Sequence, residues 1–211
     1  MKSMLKNILL AAFIISSSFA AQATTINAID MEVRNSGHTV QAGDDLASAL
    51  EAFDDGSPVC NVSLSALDLV GSAQSCSGGP RRNIATLFSV DVTQNSNIDF
   101  QFGAEWGRGG FAVLTNVNGL VPPPYVGDYW WGLNWGNPDV IKFTVTGDFS
   151  YTLKLLGFEG CCGGAMSLRY REEGGQWMIA AVNAVNVPEP ASLALLGLGL
   201  FGMGLAKRRK S

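Results

Sequence analysis

Histidine is almost absent from this 211-residue chain, and charged residues are sparse. His38 is the single histidine, and Asp, Glu, Lys and Arg together make up 15% of the residues. The sequence also lacks a Gly-x-Ser-x-Gly elbow, a phosphate-binding glycine loop and any histidine-containing metal motif. Because general acid–base catalysis uses histidine more often than any other side chain, we predict a protein that is not an enzyme and has no catalytic residues.

Positive charge is scarce in the central part of the chain. From Thr24 to Val187 there are eight Lys and Arg residues against seventeen Asp and Glu, a net charge of −9, whereas the whole chain carries −4. Nucleic acids and anionic membrane surfaces are bound through basic faces. The acidic balance therefore argues against nucleic acid as a partner.

Residues 1–23 have the three parts of a secretory signal peptide. Two lysines precede an apolar stretch, Ile8 to Ile15, which is too short to cross a bilayer as a helix. Small residues at Ala21 and Ala23 then form the pattern that signal peptidase cleaves. We predict an N-terminal signal helix, cleavage after Ala23 and export across the inner membrane.

An uncharged, mostly apolar segment runs from Ala191 to Ala206. As a helix it would be about 24 Å long, against a hydrocarbon core of about 30 Å. Four cations follow at once, as in a membrane stop signal whose basic end stays in the cytoplasm. They are Lys207, Arg208, Arg209 and Lys210. The pattern predicts a C-terminal transmembrane helix, which as a lone anchor would be marginal in length.

The segment before this helix completes a resemblance to a known sorting signal. Val187, Pro188, Glu189 and Pro190 form a short extended peptide, because the prolines disfavour a helix. With the apolar helix and the basic cluster, residues 187–211 resemble the PEP-CTERM sorting domain of Gram-negative bacteria. The resemblance implies recognition by exosortase, a membrane cysteine transpeptidase-like enzyme, removal of the tail, and release or transfer to the cell surface, often in bacteria that make exopolysaccharide.

Between the two terminal segments, residues 24–186 have the pattern of one extracellular β domain. Short runs that alternate apolar and polar residues are separated at close intervals by turn residues. The predicted strands are Thr24–Val33, Ile84–Val92, Asn97–Glu105, Gly110–Asn116, Val140–Gly147, Phe149–Gly157, Ala165–Glu172 and Trp177–Ala184. Helical spacing of apolar residues predicts one short helix over Asp44–Phe53. The predicted fold class is mainly β, an antiparallel, jelly-roll-like β-sandwich.

Four cysteines in an exported chain favour disulfide bonds. Cys60 and Cys76 flank a fifteen-residue loop, and a bond between them would contribute about 3 kcal/mol by restricting the unfolded chain. Cys161 and Cys162 are adjacent in a glycine-rich turn. Of the three connectivities that four cysteines allow, we favour Cys60 with Cys76 and Cys161 with Cys162. A redox or metal-thiolate site at the adjacent pair is the alternative, and it lacks a nearby histidine.

The surroundings of the adjacent cysteines carry a second, shorter resemblance. Residues 157–164, GFEGCCGG, are similar to the Cys-Cys-x-Gly motif that marks one group of PEP-CTERM proteins. Gly163 stands where Asp is common in that group, which argues against metal binding by the motif. The resemblance implies membership of the group and assigns no biochemical role.

The long connection Gly119–Pro138 is rich in proline, glycine and aromatic residues, and connections of this length are often functional. Exposed aromatic faces can stack on sugar rings while nearby amides bind the hydroxyl groups. The candidate sugar-binding residues are Tyr125, Tyr129, Trp130, Trp131 and Trp135. The alternative is that at least half of these rings pack into the sandwich.

The acidic pairs Asp44–Asp45 and Asp54–Asp55 supply oxygen ligands of the kind that Ca²⁺ prefers, but they lack the spacing of a calcium-binding loop. We interpret them as solvated helix ends. We therefore expect no metal site and no cofactor. Binding of Ca²⁺ by the acidic pairs is the alternative.

The sequence thus predicts an exported surface or extracellular-matrix protein, processed by signal peptidase, held transiently in the membrane and sorted by exosortase. Its expected role is structural or interactive, in association with exopolysaccharide or a biofilm. Two alternatives stay open. One is a carbohydrate-binding module that uses the aromatic connection 125–135, and the other is a permanently membrane-anchored protein that faces the periplasm.

Overall fold

Strands dominate the computed structural model, which describes residues 24–71, 75–76, 82–115, 124–161 and 163–183. The strands are β1 (Thr25–Asn35), β2 (Ser57–Ser63), β3 (Val70–Gly71), β4 (Ile84–Gln94), β5 (Ile98–Gly103), β6 (Glu105–Trp106), β7 (Gly110–Thr115), β8 (Tyr129–Trp130), β9 (Ile141–Val145), β10 (Phe149–Glu159), β11 (Ala165–Glu172) and β12 (Met178–Ile179). A helix, α1 (Leu46–Asp54), lies between β1 and β2 in the chain.

The long strands form two antiparallel sheets that face each other. The first sheet has the order β2-β1-β4-β10-β7, and the second has the order β12-β11-β5-β9, with β3 paired to β11. Strands β6 and β8 form a separate pair. Along these two strand orders the chain changes sheet from β4 to β5, from β5 to β7, from β7 to β9, from β9 to β10 and from β10 to β11. The predicted antiparallel β-sandwich is confirmed, and its jelly-roll-like arrangement stays a prediction.

Alternate residues of β4 point to two different cores. Phe88 meets Phe102 of β5 with ring centroids 6.3 Å apart, which joins the two sheets. Leu87 belongs instead to a cluster on the outer face of the first sheet, with Phe53 of α1 and Phe158 of β10. Because the helix covers the outer face near the start of the strand, β4 is buried on both sides over its first five residues, Ile84–Phe88.

Helix α1 begins at a capping box. Ser48 N donates a hydrogen bond to Asp45 Oδ1 at 2.8 Å, and Asp45 N donates one to Ser48 Oγ at 3.2 Å. Together they satisfy two backbone donors at the helix start. The predicted short helix is confirmed, and it begins two residues later than predicted because Asp45 caps the helix instead of lying in its first turn.

Strand β2 is an edge strand that the sequence pattern does not predict. All its residues are exposed or half-buried, so no apolar alternation marks it. Pro58 lacks a backbone N–H, which is tolerated on an edge strand. It pairs with β1, where Cys60 lies opposite Val33. Cys60 is bonded to Cys76, with Cα atoms 5.8 Å apart. This bond confirms the first of the two predicted disulfides.

Thr24, immediately before β1, is fully buried. Its backbone N–H donates a hydrogen bond to Glu172 Oε1 at 2.7 Å. Glu172 is the last residue of β11, so the contact ties the start of the first sheet to an end of the second. Ile26, two residues further on, has no exposed surface and enters the core between the sheets.

The described residues all belong to one compact unit, Thr24–Asn186. The predicted signal helix (residues 1–23), and the predicted sorting motif, transmembrane helix and basic cluster (residues 187–211), lie outside the described residues. Within the part of the chain that the structure describes, no helix is both long enough and apolar enough to cross a membrane.

Candidate ligand-binding surfaces

The aromatic connection before β9 has a fixed backbone over residues 124–140. Its β8 segment pairs with β6, and Tyr125 exchanges two backbone hydrogen bonds of 2.9 Å with Gly110. Asn134 N donates to the carbonyl oxygen of Trp131 at 3.1 Å. Gly132 and Leu133, inside this turn, have φ angles of +59° and +56°, the left-handed values of a type I′ turn. The connection is therefore held by its own turns and by the sandwich.

Trp131 anchors this connection and is not available to a ligand. Only 2% of its surface is exposed, and its Nε1 donates a hydrogen bond to the carbonyl oxygen of Ala165 at 2.8 Å. The indole lies directly against Gly103 of β5, where a Cβ atom would overlap the ring. A glycine inside a strand often marks such a close approach. Of the five predicted sugar-binding residues, Trp131 is thus buried against the second sheet.

Tyr125 and Tyr129 are half-buried and pack on the core between the sheets. Their ring centroids lie 5.5 Å apart in a T-shaped arrangement, and the Tyr125 ring lies 6.4 Å from that of Trp106. Burial, with a smaller effect of Tyr129, raises the pKa of Tyr125. These two rings support the connection and offer only part of their surface to a ligand.

Trp130 has the most exposed ring of the five. Its exposed fraction is 62%. Its backbone is held on both sides, since Trp130 N donates to Asp139 Oδ2 at 3.3 Å and Asn137 Nδ2 donates to the Trp130 carbonyl oxygen at 3.1 Å. Leu133 and Val126 of the same connection are also exposed. The connection therefore presents an indole to solvent from a fixed backbone.

Trp135 belongs to a second aromatic surface, on the outer face of the second sheet. The Arg169 guanidinium carbon lies 4.2 Å from the ring centroid of Trp135 and 4.6 Å from that of Trp177. The guanidinium carbon of Arg171 lies 4.6 Å from the same Trp177 centroid. Cations at such distances from an indole are attracted by its ring electrons. We call these four residues the Trp–Arg ladder.

Two side chains of β5 hold the arginines of the ladder. Arg169 donates from Nε and Nη2 to Gln101 Oε1, at 3.0 and 2.6 Å. Arg171 donates from Nε and Nη2 to Asp99 Oδ2, at 3.0 and 2.9 Å. Hydrogen bonds from Thr144 and from Arg171 lower the pKa of Asp99. Asp99 thus neutralises Arg171, whereas Arg169 faces a neutral amide.

A polar hollow of about 370 Å³ lies beside the ladder. It is lined by Asn97, Asp99, Thr144, Arg171, Glu173 and Gly174. Its amide, hydroxyl and charged groups are those that orient a polar ligand. The sequence shows that Arg169 and Arg171 share one face of β11, since they lie two residues apart. It does not show that Trp135 and Trp177 reach that face, which is why the ladder was not predicted.

The predicted cysteine turn follows β10. Glu159, the last residue of that strand, accepts hydrogen bonds from Cys161 N at 3.0 Å and from Gly107 N at 3.2 Å. Cys161 is bonded in a disulfide. Cys162 lies outside the described residues, so its pairing with Cys161 stays a prediction. The carboxylate of Glu159 fixes the backbone on the strand side of the turn.

Two carboxyl groups meet at this turn. Burial, followed by the charges of Glu159 and Asp128, raises the pKa of Glu105 to about 7. Burial, followed by the charge of Asp128, also raises the pKa of Glu159. Arg108 lies against Gly160 of the turn, but neither glutamate forms an ion pair with any described residue. The turn therefore carries an excess of negative charge.

Three of the four acidic side chains beside α1 have partners within the protein. Asp45 is the helix cap, Asp44 Oδ2 lies 3.3 Å from His38 Nε2, and Asp54 Oδ1 lies 3.8 Å from Arg34 Nη2. Over the described ranges, no group of three or more His, Cys, Asp and Glu side chains is placed to hold a metal ion.

Comparison with known proteins identifies one segment. Residues 186–210 match the PEP-CTERM protein-sorting motif, which the sequence pattern predicted. No curated protein matches the chain.

Several solved structures are similar to the chain at low identity. The PA14 sugar-binding domain from an RTX adhesin is 10% identical with a TM-score of 0.44, over 75% of this chain and 99% of that chain. The Epithelial Adhesin 9 A domain from Candida glabrata, solved with Galb1-3GlcNAc, is 10% identical with a TM-score of 0.48, over 82% and 96%. An anti-sigma factor domain-containing protein from Clostridium clariflavum is 10% identical with a TM-score of 0.44, over 78% and 48%. These similarities are too low for any property of those proteins to carry over.

Proposed function

We propose that this chain, which carries a PEP-CTERM protein-sorting motif at residues 186–210, is a cell-surface or extracellular-matrix protein with a non-enzymatic interaction role. A motif of this kind implies an exported protein that exosortase processes. The cargo of that process is the β-sandwich, residues 24–186. Its partner in this proposal is an exopolysaccharide, and the observation that carries the proposal is the exposed indole of Trp130 on a fixed backbone.

A fixed, exposed indole suits a sugar ring for two physical reasons. The ring is apolar on both faces and polar at one edge, so it can cover the C–H face of a sugar while its N–H stays in water. Since hydrogen bonds to Asp139 and Asn137 already order the backbone, binding costs little additional conformational entropy. Leaving an indole 62% exposed forgoes the apolar burial that most tryptophans obtain. A partner that covers it would recover part of that free energy.

Replacing Trp130 by alanine tests this role. We expect retention on polysaccharide from the cell's own matrix to weaken by about fivefold, which is the effect of losing one stacked ring. The matched control is Leu133→Ala, because Leu133 lies on the same connection and is 60% exposed but has no ring. Thermal unfolding of both variants should match that of the unchanged protein. Unchanged retention of the Trp130 variant would show that the aromatic connection does not bind the polysaccharide.

The sorting step has a separate test, by the intact mass of the product. We expect protein from the culture medium of a Gram-negative host with exosortase to begin at Thr24 and to end near Val187–Pro190. Replacing Pro188, Glu189 and Pro190 together by alanine should leave a full-length C-terminus in the membrane fraction. If the unchanged chain also keeps its C-terminus and stays in membranes, the tail is a permanent anchor, and the membrane-anchored alternative replaces surface sorting.

A further inference from the structure

We infer that the Trp–Arg ladder is a second binding surface, specific for acidic polysaccharides that carry carboxylate groups. The inference rests on the proposed function, since it assumes that the exported sandwich meets extracellular polysaccharide. It concerns different side chains from Trp130 and a different chemistry of recognition. Three observations carry it: the placement of positive charge, the rigidity of the arginines and the adjoining polar hollow.

Positive charge is concentrated on the ladder face. Only eight Lys and Arg residues occur between Thr24 and Val187, against seventeen Asp and Glu. Three of the eight lie on this one face. Strand pairing places Arg169 opposite Gln101, and Gln101 opposite Lys142 of β9, so the two cations flank the amide in one row. In the next row, Arg171 lies opposite Asp99.

The charges of Arg169 and Lys142 are not neutralised by any carboxylate of the described residues. Among the ion pairs of described residues, neither side chain has a carboxylate partner. Burial and the neighbouring charge of Arg171 lower the pKa of Arg169, as expected for a cation beside a second cation without an anion of its own. A carboxylate from a ligand would supply the missing charge.

The arginines are held in place before any ligand binds. Arg169 lies between the rings of Trp135 and Trp177, and its hydrogen bonds to Gln101 fix the plane of its guanidinium. Its Nη1 donors have no hydrogen-bond partner in the described part of the chain. A guanidinium binds carboxylates through such N–H edges, and one that is already ordered loses less entropy in doing so. The rings therefore position the cation, and they do not themselves stack on the sugar.

The hollow beside Arg171 supplies the remaining contacts. Asn97, Thr144 and Glu173 place an amide, a hydroxyl and a carboxylate around a space of about 370 Å³. Sugar hydroxyls donate and accept hydrogen bonds, so they pair with all three groups. Arg169 and Lys142 can bind the carboxylates of a polymer, and the hollow beside Arg171 can bind its hydroxyl groups. A polymer that carries both groups along its length therefore fits this surface. A nucleic acid fits less well, because its dense phosphates require many more cations than three.

The test compares two polymers and two charge variants. The probes are polygalacturonate and an uncharged glucan of similar length, and binding of the mature protein is measured at two salt concentrations. Replacing Lys142 by glutamine removes an exposed cation without disturbing the Trp–Arg stack, and Arg169→Gln removes the central one. We expect each change to weaken polygalacturonate binding by about fivefold and to reduce its salt dependence. Binding of the glucan should not change.

The matched control is Lys154→Gln, which removes one cation from β10 in the other sheet. An equal loss of polygalacturonate binding in this control, or no loss with Lys142→Gln, would overturn the inference, as would equally tight binding of double-stranded DNA. Trp130→Ala is measured alongside. Loss of glucan binding only with Trp130→Ala supports the loop, and loss of polygalacturonate binding only with Lys142→Gln supports the ladder, so the two proposals fail separately.

Discussion

Replacing Gly157 by alanine is expected to lower the free energy of unfolding by about 3 kcal/mol, at the upper end of the usual cost of overpacking. Gly157 of β10 pairs with Gly110 of β7, and the indole of Trp106 covers both glycines so closely that a Cβ on either would overlap it. The indole is 1% exposed and packs against Phe102, with centroids 5.2 Å apart. It therefore has no free space into which it could move.

A glycine elsewhere in the sandwich provides the control. At Gly37 an added Cβ would meet only the end of the Arg108 side chain, at 3.8 Å. Gly37→Ala should change the stability by no more than about 0.5 kcal/mol. Chemical denaturation of the two variants measures the difference. Equal stability of the variants would mean that the Trp106 indole can leave its place at no cost, and that the close contact does not constrain the fold.

Replacing Glu105 by glutamine is expected to stabilise the protein by about 2 kcal/mol near pH 8 and to change little near pH 5. The pKa of Glu105 is raised by burial, Glu159 and Asp128 from 4.5 to about 7. Between these pH values the folded state binds more protons than the unfolded state, so stability falls as the pH rises through this window and levels off above it. A full shift of this size corresponds to about 3.4 kcal/mol, which partial exposure of the carboxyl reduces.

Glutamine has the shape of the protonated carboxyl and can still accept the hydrogen bond from the backbone of Gly132 that contacts Glu105. Melting curves from about pH 5 to pH 8 should therefore be flatter for the variant than for the unchanged protein. Glu51→Gln, a change at an exposed position of α1, serves as the control and should keep the original pH dependence. If stability depended on pH as steeply in the Glu105 variant as in the unchanged protein, the environment of Glu105 would not raise the pKa of this carboxyl.

The sandwich could be predicted from the sequence because its strands are marked by alternation or by continuous apolar runs. Strand β4 is a clear case, since it is buried on both faces over Ile84–Phe88, and apolar residues alternate with polar ones from Phe88 to Val92. Strand β2 could not be predicted, because an edge strand is paired on one side and need not bury its side chains. Cys60 gave the only signal there, and that signal indicates a disulfide, not a strand.

The candidate sites were harder to predict, because exposure is decided by tertiary packing. Trp130 and Trp131 are neighbours with the same side chain, yet one is 62% exposed and the other 2%. The difference follows from the missing side chain at Gly103, which leaves room for the Trp131 indole, and from the hydrogen bond that Trp131 donates to Ala165. The ladder depends on strand pairing between distant residues, since Arg169 and Gln101 are 68 positions apart. Periodicity within one segment contains no information of that kind.

The hydrogen bond from Thr24 to Glu172 gains a further meaning if signal peptidase cuts where the sequence predicts. Cleavage after Ala23 would turn the backbone nitrogen that now lies 2.7 Å from the Glu172 carboxylate into a charged ammonium group. A hydrogen bond from an uncharged amide to the carboxylate would become a partly buried ion pair, formed only in the cleaved product. The same carboxylate would then distinguish a chain cut at this bond from one cut a residue earlier or later, whose new terminus would fall elsewhere. The Thr24 nitrogen would then be both the atom that signal peptidase releases and the atom that links the start of β1 to the end of β11.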